Sequence, residues 1–406
     1  MTRFAFLAEP GLAAVLSLLN PLGEETRVVG GAVRAALMGL PPADFDLATT
    51  LLPAQVMELA QSSGIRAIPT GIEHGTVTLL AGEATHEVTT LREDIATDGR
   101  HARVRFGRSF VADALRRDFT MNALSVSLDG RLHDYVGGQA DIAARRVRFI
   151  GDASQRIAED FLRSLRFFRF HAAYGSGPPD PEAVRAIVAA RAGLLTLSRE
   201  RVRAELFKLL AVPGAAAAAQ DMSDGGLMAL LLGGVNSPAR LGRVPAAGDP
   251  LLALAALAVW TQEDAARLSD RLRLSKQEHG RLADMAQVRA GWHSAAHPPA
   301  ADDLRRLMLL HGRRATLDGL QLAEIDGAAG DWRVVRALLE DMMPLRLPFS
   351  GADLHQRGIA SGPAMGAMLK ELQGKWIRAG FPKDPALLAA LLEEVVDKGR
   401  DRPGRF

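Results

Sequence analysis

The sequence predicts an α+β amino-terminal region, a small antiparallel or mixed sheet with helices, followed by an all-α remainder. Three observations predict it. Up to about residue 140, strand-length apolar runs alternate with helical runs and are cut by Gly, Asp and Pro turn signals. Past Gly137-Gly138 the apolar positions recur almost entirely at helical spacing. The chain has 406 residues, 48% hydrophobic and 24% charged, which suits two to four globular domains at roughly 150 residues each.

In chain order, "MTRFAFLAEPGLAAVLSLLNPLGEE" predicts an amphipathic helix rather than a signal peptide, because Glu9, Pro10 and Asn20 interrupt its apolar stretch. Val28-Val29 predicts a short buried strand ending at Gly30-Gly31, and "AVRAALMG" a helix stopped by Gly39. "DFDLATT" returns as a strand. "LPAQVMELAQSSG" predicts a helix, with Pro53 near its first turn and Gly64 past its end. "TVTLLA" and "HEVTTL" form a hairpin around "GEAT", and "NALSVSLDGRLHDYV" a second one around Asp129-Gly130. Beyond these, "ASQRIAEDFLRSLRFFRFHAAY" reads as one helix and "SRERVRAELFKLLA" as another with Ser198 as N-cap. "GSGPPDP" is a loop, and "VPGAAAAAQ" and "GGVNSPARLGRVPAAGDP" read as connectors. From Leu251 onward, long helices alternate with short Gly/Pro breaks.

Composition narrows the chemistry. There is no cysteine, so disulfides, thiolate metal sites and cysteine nucleophiles are excluded, and a reducing compartment, the cytoplasm, is expected. No run reaches the ~18 to 20 apolar residues of a membrane span, so no membrane partner is expected. The histidines show no metal-ligand spacing such as H-E-x-x-H. Net charge is only +2, yet arginines bunch in residues 92–117 and 145–169. Arginine suits bidentate contacts to phosphates and bases.

The stretch "VVGGAVRAALMGLPPADFDLATT" combines two kinds of group. In a strand alternate residues share a face, so Asp44 and Asp46 point together with Phe45 opposite. Two carboxylates so close repel each other unless a cation lies between them, and oxygen-only ligands suit Mg²⁺. Alone, a D-x-D pair is more often a solvated strand end. The glycines change that reading. A Gly30-Gly31 turn at a helix start lets backbone N–H groups approach a phosphate, and Arg34 in the first turn can clamp the same anion. A phosphate cradle and a metal site then lie on neighbouring elements, without a Walker or dinucleotide fingerprint. Glu87, in "THEVTTLR", becomes a third carboxylate if its strand lies beside the Asp strand; a solvent-facing Glu is the equal alternative.

Two arginine stretches follow. In "ALRRDFTMNAL", Asp118 can orient either Arg116 or Arg117 and leave the other for phosphate, with a surface salt bridge as the bland alternative. In "EDFLRSLRFFRF", Asp160, Arg163, Arg166 and Arg169 recur every third residue, a slowly turning helical stripe rising ~4.5 Å per step. One acid heads the stripe and three unneutralised arginines follow, which favours an anionic ligand over a merely charged outer face.

Together these motifs resemble the class II tRNA nucleotidyltransferases, the CCA-adding enzymes and their poly(A) polymerase relatives, in the DNA polymerase beta-type nucleotidyltransferase superfamily. The matching runs are "GGAVR" with "DFD", "RRDFTMNA", "DYVGGQADI", "RRVRFIGDASQRIAEDFLRSLRFFRF" and "LSRERVRAELFKLL", in order over about residues 28–210. "GIEHGTVTLL" and "EVTTLREDIATDGRHA" resemble the CCA-adding branch more than the poly(A) branch. The resemblance implies a nucleotidyltransferase head (1–140), a neck that recognises the base (141–210), a helical body (211–330) and a tRNA-binding tail (331–406). It implies that Asp44 and Asp46 hold Mg²⁺, that Gly31 and Arg34 contact the triphosphate, and that Arg117 contacts the incoming nucleotide. Asp160 and Arg163 would act as a protein template accepting CTP or ATP, with Arg166 and Arg169 completing the pocket. The partner implied is the tRNA 3′ acceptor end. A poly(A) polymerase or A-only enzyme acting on RNA 3′ ends is the alternative. One departure stands out: the family motif continues Val-Arg-Asp, and here Ala35 follows Arg34, so Arg34 needs another partner.

Overall fold

The computed structural model describes residues 3–96, 103–245 and 248–400. They fall into two compact units, Met1–Ala258 with Asp270–Arg273, and Val259–Ser269 with Leu274–Phe406.

The first unit opens with a 3-10 turn, Ala5–Ala8, and helix α1 (Pro10–Leu18). The single amphipathic helix expected here is therefore divided at Pro10, whose ring presets the first helical φ and needs no N–H partner. The elements that follow are β1 (Thr26–Val29), α2 (Gly31–Leu37), β2 (Asp46–Thr49), α3 (Pro53–Ser62), β3 (Arg66–Gly71), β4 (Thr76–Ala81), β5 (Ala84–Thr90), β6 (Arg92–Ala96) and β7 (Arg103–Phe106). Then come α4 (Phe110–Leu115), β8 (Ser125–Ser127), β9 (Leu132–His133) and α5 (Gly138–Ala143). Seven strands form one sheet in the order β3-β4-β5-β2-β1-β8-β9, and β6 pairs with β7 separately. Only β2 and β5 run parallel in that sheet. The α+β expectation holds, and both hairpins form where the turn residues put them.

Strand alternation sorts the faces. In β5, His86, Val88 and Thr90 are buried on one side while Glu87 and Thr89 face the other. β2 begins at Asp46, later than expected, and Asp44 and Phe45 precede it. The alternation persists outside the ladder. Phe45 is buried against the Phe6 ring, 5.3 Å between centroids, while Asp44 and Asp46 stay open to solvent.

Helices α6 (Ala153–Glu159), α7 (Leu162–Tyr174), α8 (Pro181–Ala190), α9 (Arg199–Leu210), α10 (Ala215–Asp224), α11 (Leu227–Leu232), α12 (Pro238–Leu241) and α13 (Pro250–Ala258) complete the unit. Two expectations are corrected here. The run 153–174 is not one helix: Asp160 is extended (φ −156, ψ 106), and its side chain accepts from the Leu162 N–H at 3.1 Å, so α7 restarts after it. The Ala run is helix α10, not a connector. Alanine has the best intrinsic helix propensity, and its small side chains bury Ala215, Ala218 and Ala219 in close packing. α7 anchors the core through Phe167, Phe168 and Phe170, with Phe119 5.0 Å from Phe149 and 5.2 Å from Phe170. Ser198 occupies the N-cap position of α9 but makes no side-chain capping bond.

The second unit is helical: α14 (Gln262–Leu272) up to Ser269, α15 (Lys276–Trp292), α16 (Ala301–Ile325), α17 (Trp332–Asp341), α18 (Gly351–His355), α19 (Pro363–Arg378) and α20 (Pro385–Arg400). Its cores gather around Leu304, Trp332 and Leu339, and around Leu354, Leu372 and Trp376. α16 breaks at Gly312 (φ 74, ψ 161). Among the described residues no helix is long and apolar enough to cross a membrane.

Candidate active site

A cavity of about 480 Å³ opens on the sheet face that carries Val29, Ala48 and Thr89. One lip is acidic. The parallel ladder sets Asp46 directly beside Glu87, so both carboxylates leave the same face. The strand adjacency on which Glu87 depended is present. Burial, and next the charge of Glu87, raise the Asp46 pKa; Arg117 opposes this and Asp44 adds to it. The carboxylate stays accessible on its outer side, so this is the rim of a cleft rather than an interior site. Among the described residues no group of three or more His, Asp or Glu is arranged to hold a metal ion. A cation at this lip would complete its shell from ligand oxygens, as Mg²⁺ does with substrate phosphates.

The opposite walls are basic: Arg34, Arg92, Arg116, Arg117, Arg166 and Arg169 line the cavity. The turn between β1 and α2 makes room for them. Gly30 has φ +66, and a Cβ there would lie 3.3 Å from Arg117 Nη1, so glycine meets both the backbone and the steric demand. Gly31 lines the cavity beside it. Arg34 donates to Asn122 Oδ1 and to the Tyr174 hydroxyl (3.2 Å), and lies 4.4 Å over the Tyr174 ring. Those are its partners where Ala35 provides none. Burial lowers its pKa while Tyr174 pushes the other way, and a guanidinium stays charged regardless.

The carboxylate that orients Arg116 and Arg117 is Asp113, not Asp118. Asp113 lies one turn earlier on α4 and accepts from both, with Arg117 Nη2 at 3.0 Å. Burial would raise its pKa, but the two guanidiniums outweigh this and lower it. Asp118 instead takes Arg166, whose Nε donates to Oδ2 at 2.7 Å, and Asn122 Nδ2 at 3.0 Å. Its pKa is lowered too: burial opposes, and Arg166 and Asn122 prevail. Asn122 is a node, because its backbone carbonyl also accepts from Arg117 Nη1 at 3.2 Å. Phe170 offers its ring to three cations, with Arg34, Arg166 and Arg169 at 5.0, 5.4 and 4.4 Å.

The stripe on α7 is therefore not unneutralised. Arg163 pairs with Glu159, Arg166 with Asp118 and Arg169 with Glu205. Arg166 and Arg169 line the cavity, whereas Asp160 and Arg163 lie outside its lining. Asp160 is held by Arg201 of α9, 2.7 Å away, and Arg163 approaches the Arg116 carbonyl at 3.5 Å. Of the residues singled out by sequence, the cavity gathers Gly30, Gly31, Arg34, Asp46, Glu87, Arg117, Arg166 and Arg169; Asp44 lies outside the lining, though its charge acts on Asp46. Sequence reasoning missed Asp113, Tyr174, Arg201 and Glu205.

A glycine turn, an acidic strand pair and facing arginines meet in one cleft beside a small mixed sheet. The chain matches the poly(A) polymerase head domain over residues 26–148, and the probable RNA and SrmB-binding site of polymerase A over 179–237. It is 35% identical to the mitochondrial CCA tRNA nucleotidyltransferase 1 of Mus musculus, over 97% of this chain and 92% of that one. It is 30% identical to the CCA-adding enzyme of Lacticaseibacillus paracasei, over 98% and 99%. The solved CCA-adding enzyme of Bacillus stearothermophilus in complex with CTP has the same fold, with TM-score 0.72 and 24% identity over 99% of this chain and 100% of that one. That of Thermotoga maritima complexed with tRNA is similar at TM-score 0.64 and 19% identity, over 98% and 97%. This chain belongs to the CCA-adding tRNA nucleotidyltransferase family.

Proposed function

We propose that the chain adds C, C and A to the 3′ end of tRNA, from CTP and ATP and without a nucleic-acid template. The observation that carries this reading is the two-sided cleft: the Asp46–Glu87 lip faces arginines across one cavity, in a chain similar to CCA-adding enzymes over nearly its full length. The tRNA 3′-hydroxyl attacks the α-phosphate of the bound nucleotide in line, and pyrophosphate leaves. Arg34, Arg117, Arg166 and Arg169 bind and orient the phosphates and stabilise the departing charge, with Gly30 and Gly31 allowing close backbone approach. Asp160 and Arg163 read the base.

Asp44 and Asp46 are the residues we assign to Mg²⁺, with Glu87 beside them. The fit is supported by an all-oxygen donor set, and by an Asp46 carboxylate whose pKa is raised first by burial and then by the neighbouring charge of Glu87. When bound, the ion supplies Lewis-acid activation of the hydroxyl and charge neutralisation at the phosphates. We assign catalysis to residues 1–140, base recognition to 141–210, and body and tail to 211–330 and 331–406, the tail carrying tRNA. The first two assignments are supported by a cavity lined by residues from Val29 to Phe170, which fall in both stretches. The cytoplasm is the compartment we assign; the mouse and human relatives are mitochondrial by name.

The test offers the purified chain a tRNA ending at its discriminator base, with CTP alone, ATP alone, or both. Products ending in C, C and A with both nucleotides are expected. Long A tails from ATP alone would turn the reading to a poly(A) polymerase.

A further inference from the structure

We propose that Arg201 is a positioning residue for base selection, fixing the Asp160 carboxylate as an acceptor-only edge toward the incoming base. The inference rests on the reading of Asp160 as the acid that meets the base. Asp160 occupies the extended position between α6 and α7. Two donors hold it. The Leu162 N–H reaches Oδ1 at 3.1 Å and Arg201 Nη2 reaches Oδ2 at 2.7 Å. They come from different elements and act on different oxygens, so together they set the plane of the carboxylate.

An ionised carboxylate has roughly four lone-pair sites and no proton to give, so about two acceptor sites remain for a ligand. Cytosine N4 and adenine N6 are amino donors; guanine presents the O6 acceptor at the corresponding edge, and uracil an oxygen in place of the amino group. A fixed acceptor-only edge satisfies the first pair and sets lone pair against lone pair for the second. Without Arg201, Asp160 keeps one anchor and its plane can turn.

Arg201 and Asp160 both lie outside the lining of the cavity; Arg201 touches the Asp160 carboxylate directly, so its effect on a base is exerted through that carboxylate. It is one of two such anchors on α9. Glu205, one turn farther on and buried, holds the cavity arginine Arg169. The Arg201–Asp160 pair is half-exposed, and ion pairs this open to water contribute little to stability. Its value is orientation.

The test uses the full chain as Arg201→Met, which keeps an apolar stem, and Arg201→Lys, which keeps the charge without the planar fork. The specificity constant kcat/KM is measured for CTP and UTP on tRNA ending at the discriminator base, and for ATP and GTP on tRNA ending in CC. Arg201→Met should lower the CTP:UTP and ATP:GTP ratios by roughly tenfold, chiefly by raising KM for the correct nucleotide. Arg201→Lys should recover part of the ratio, with thermal midpoint and tRNA affinity nearly unmoved in both. Unchanged ratios in Arg201→Met, or a fall in kcat that only tracks a lower midpoint, would overturn the proposal. Asp160→Ala separates the two levels of the argument. If it keeps its selectivity, the reading of Asp160 fails. If it loses selectivity while Arg201→Met does not, only the role of Arg201 fails.

Discussion

Asp46 works against the fold that holds it. Its pKa is raised by burial and by Glu87, so the folded state holds the proton more firmly than the unfolded chain does. Ionisation above the ordinary carboxylate range, near pH ~4, then weakens folding. Asp46→Asn should raise the thermal midpoint slightly at neutral pH while cutting nucleotide incorporation on the order of 10²–10³-fold or more. Titrated magnesium should raise the midpoint of the unaltered protein, and Asp46→Asn should lose most of that rise. Full activity in the variant, or a lower midpoint, counts against the assignment. Asp113 has the opposite sign. Its two guanidiniums hold its pKa below the ordinary value, so its stabilisation is present at neutral pH and is lost as pH falls below ~4 through the folded pKa. Asp113→Ala leaves two cations facing each other and should cost about 3 kcal/mol in chemical denaturation, together with affinity for CTP; a neutral result in both would remove it from the site. Asp113 was legible in the sequence, because D-x-x-R-R puts an acid three and four residues ahead of two arginines on a helix. The partners of Arg34 were not. Asn122 and Tyr174 lie 88 and 140 positions away, and no local spacing encodes them.

Elements were legible where turn chemistry and periodicity agreed, as in the β4–β5 hairpin and the helix stopped by Gly39, which has φ +70. They were misread where a side chain overrode the pattern. The apolar period runs unbroken through 153–174, but Asp160 prefers its own hydrogen bond to the Leu162 N–H over continuing the helix. β5 carries a second consequence of alternation. His86 lies on its core side, 1% exposed, with no partner for either ring nitrogen, and packs toward Phe45 at 6.4 Å between centroids. Burial lowers its pKa, with Glu9 pulling weakly the other way. Below the unfolded value of ~6.5 the unfolded chain takes up a proton that the folded chain refuses. Stability that is full above that pH is therefore lost as pH falls beneath it. Thermal midpoints recorded between pH 7.5 and pH 5.5, about one unit either side of that value, should fall on the acid side, and His86→Leu should flatten the decline. An equal decline in the variant would place the acid sensitivity elsewhere.

For the whole molecule, an α+β start followed by helices was legible from where the period changes. The division between Ala258 and Val259 was not, because helices lie on both sides of it and no composition shift marks it. The second unit has its own apolar cores, in which Leu372 is fully buried. Leu372→Ala should destabilise that unit by about 2–5 kcal/mol in denaturant titration and leave CTP affinity unaltered, since every cavity-lining residue belongs to the first unit. A matching loss of CTP binding would contradict that separation. The one parallel pairing in the sheet also bears on how the gene can drift. Asp46 and Glu87 meet through ladder register rather than through the intervening chain, so insertions in the loops between them can accumulate without moving either group. A single codon lost within β5 is another matter. It would slide the strand by one step, carry Glu87 into the apolar layer and turn the His86 imidazole toward the substrate, so lineages of this protein should vary in loop length and never in the phase of that strand.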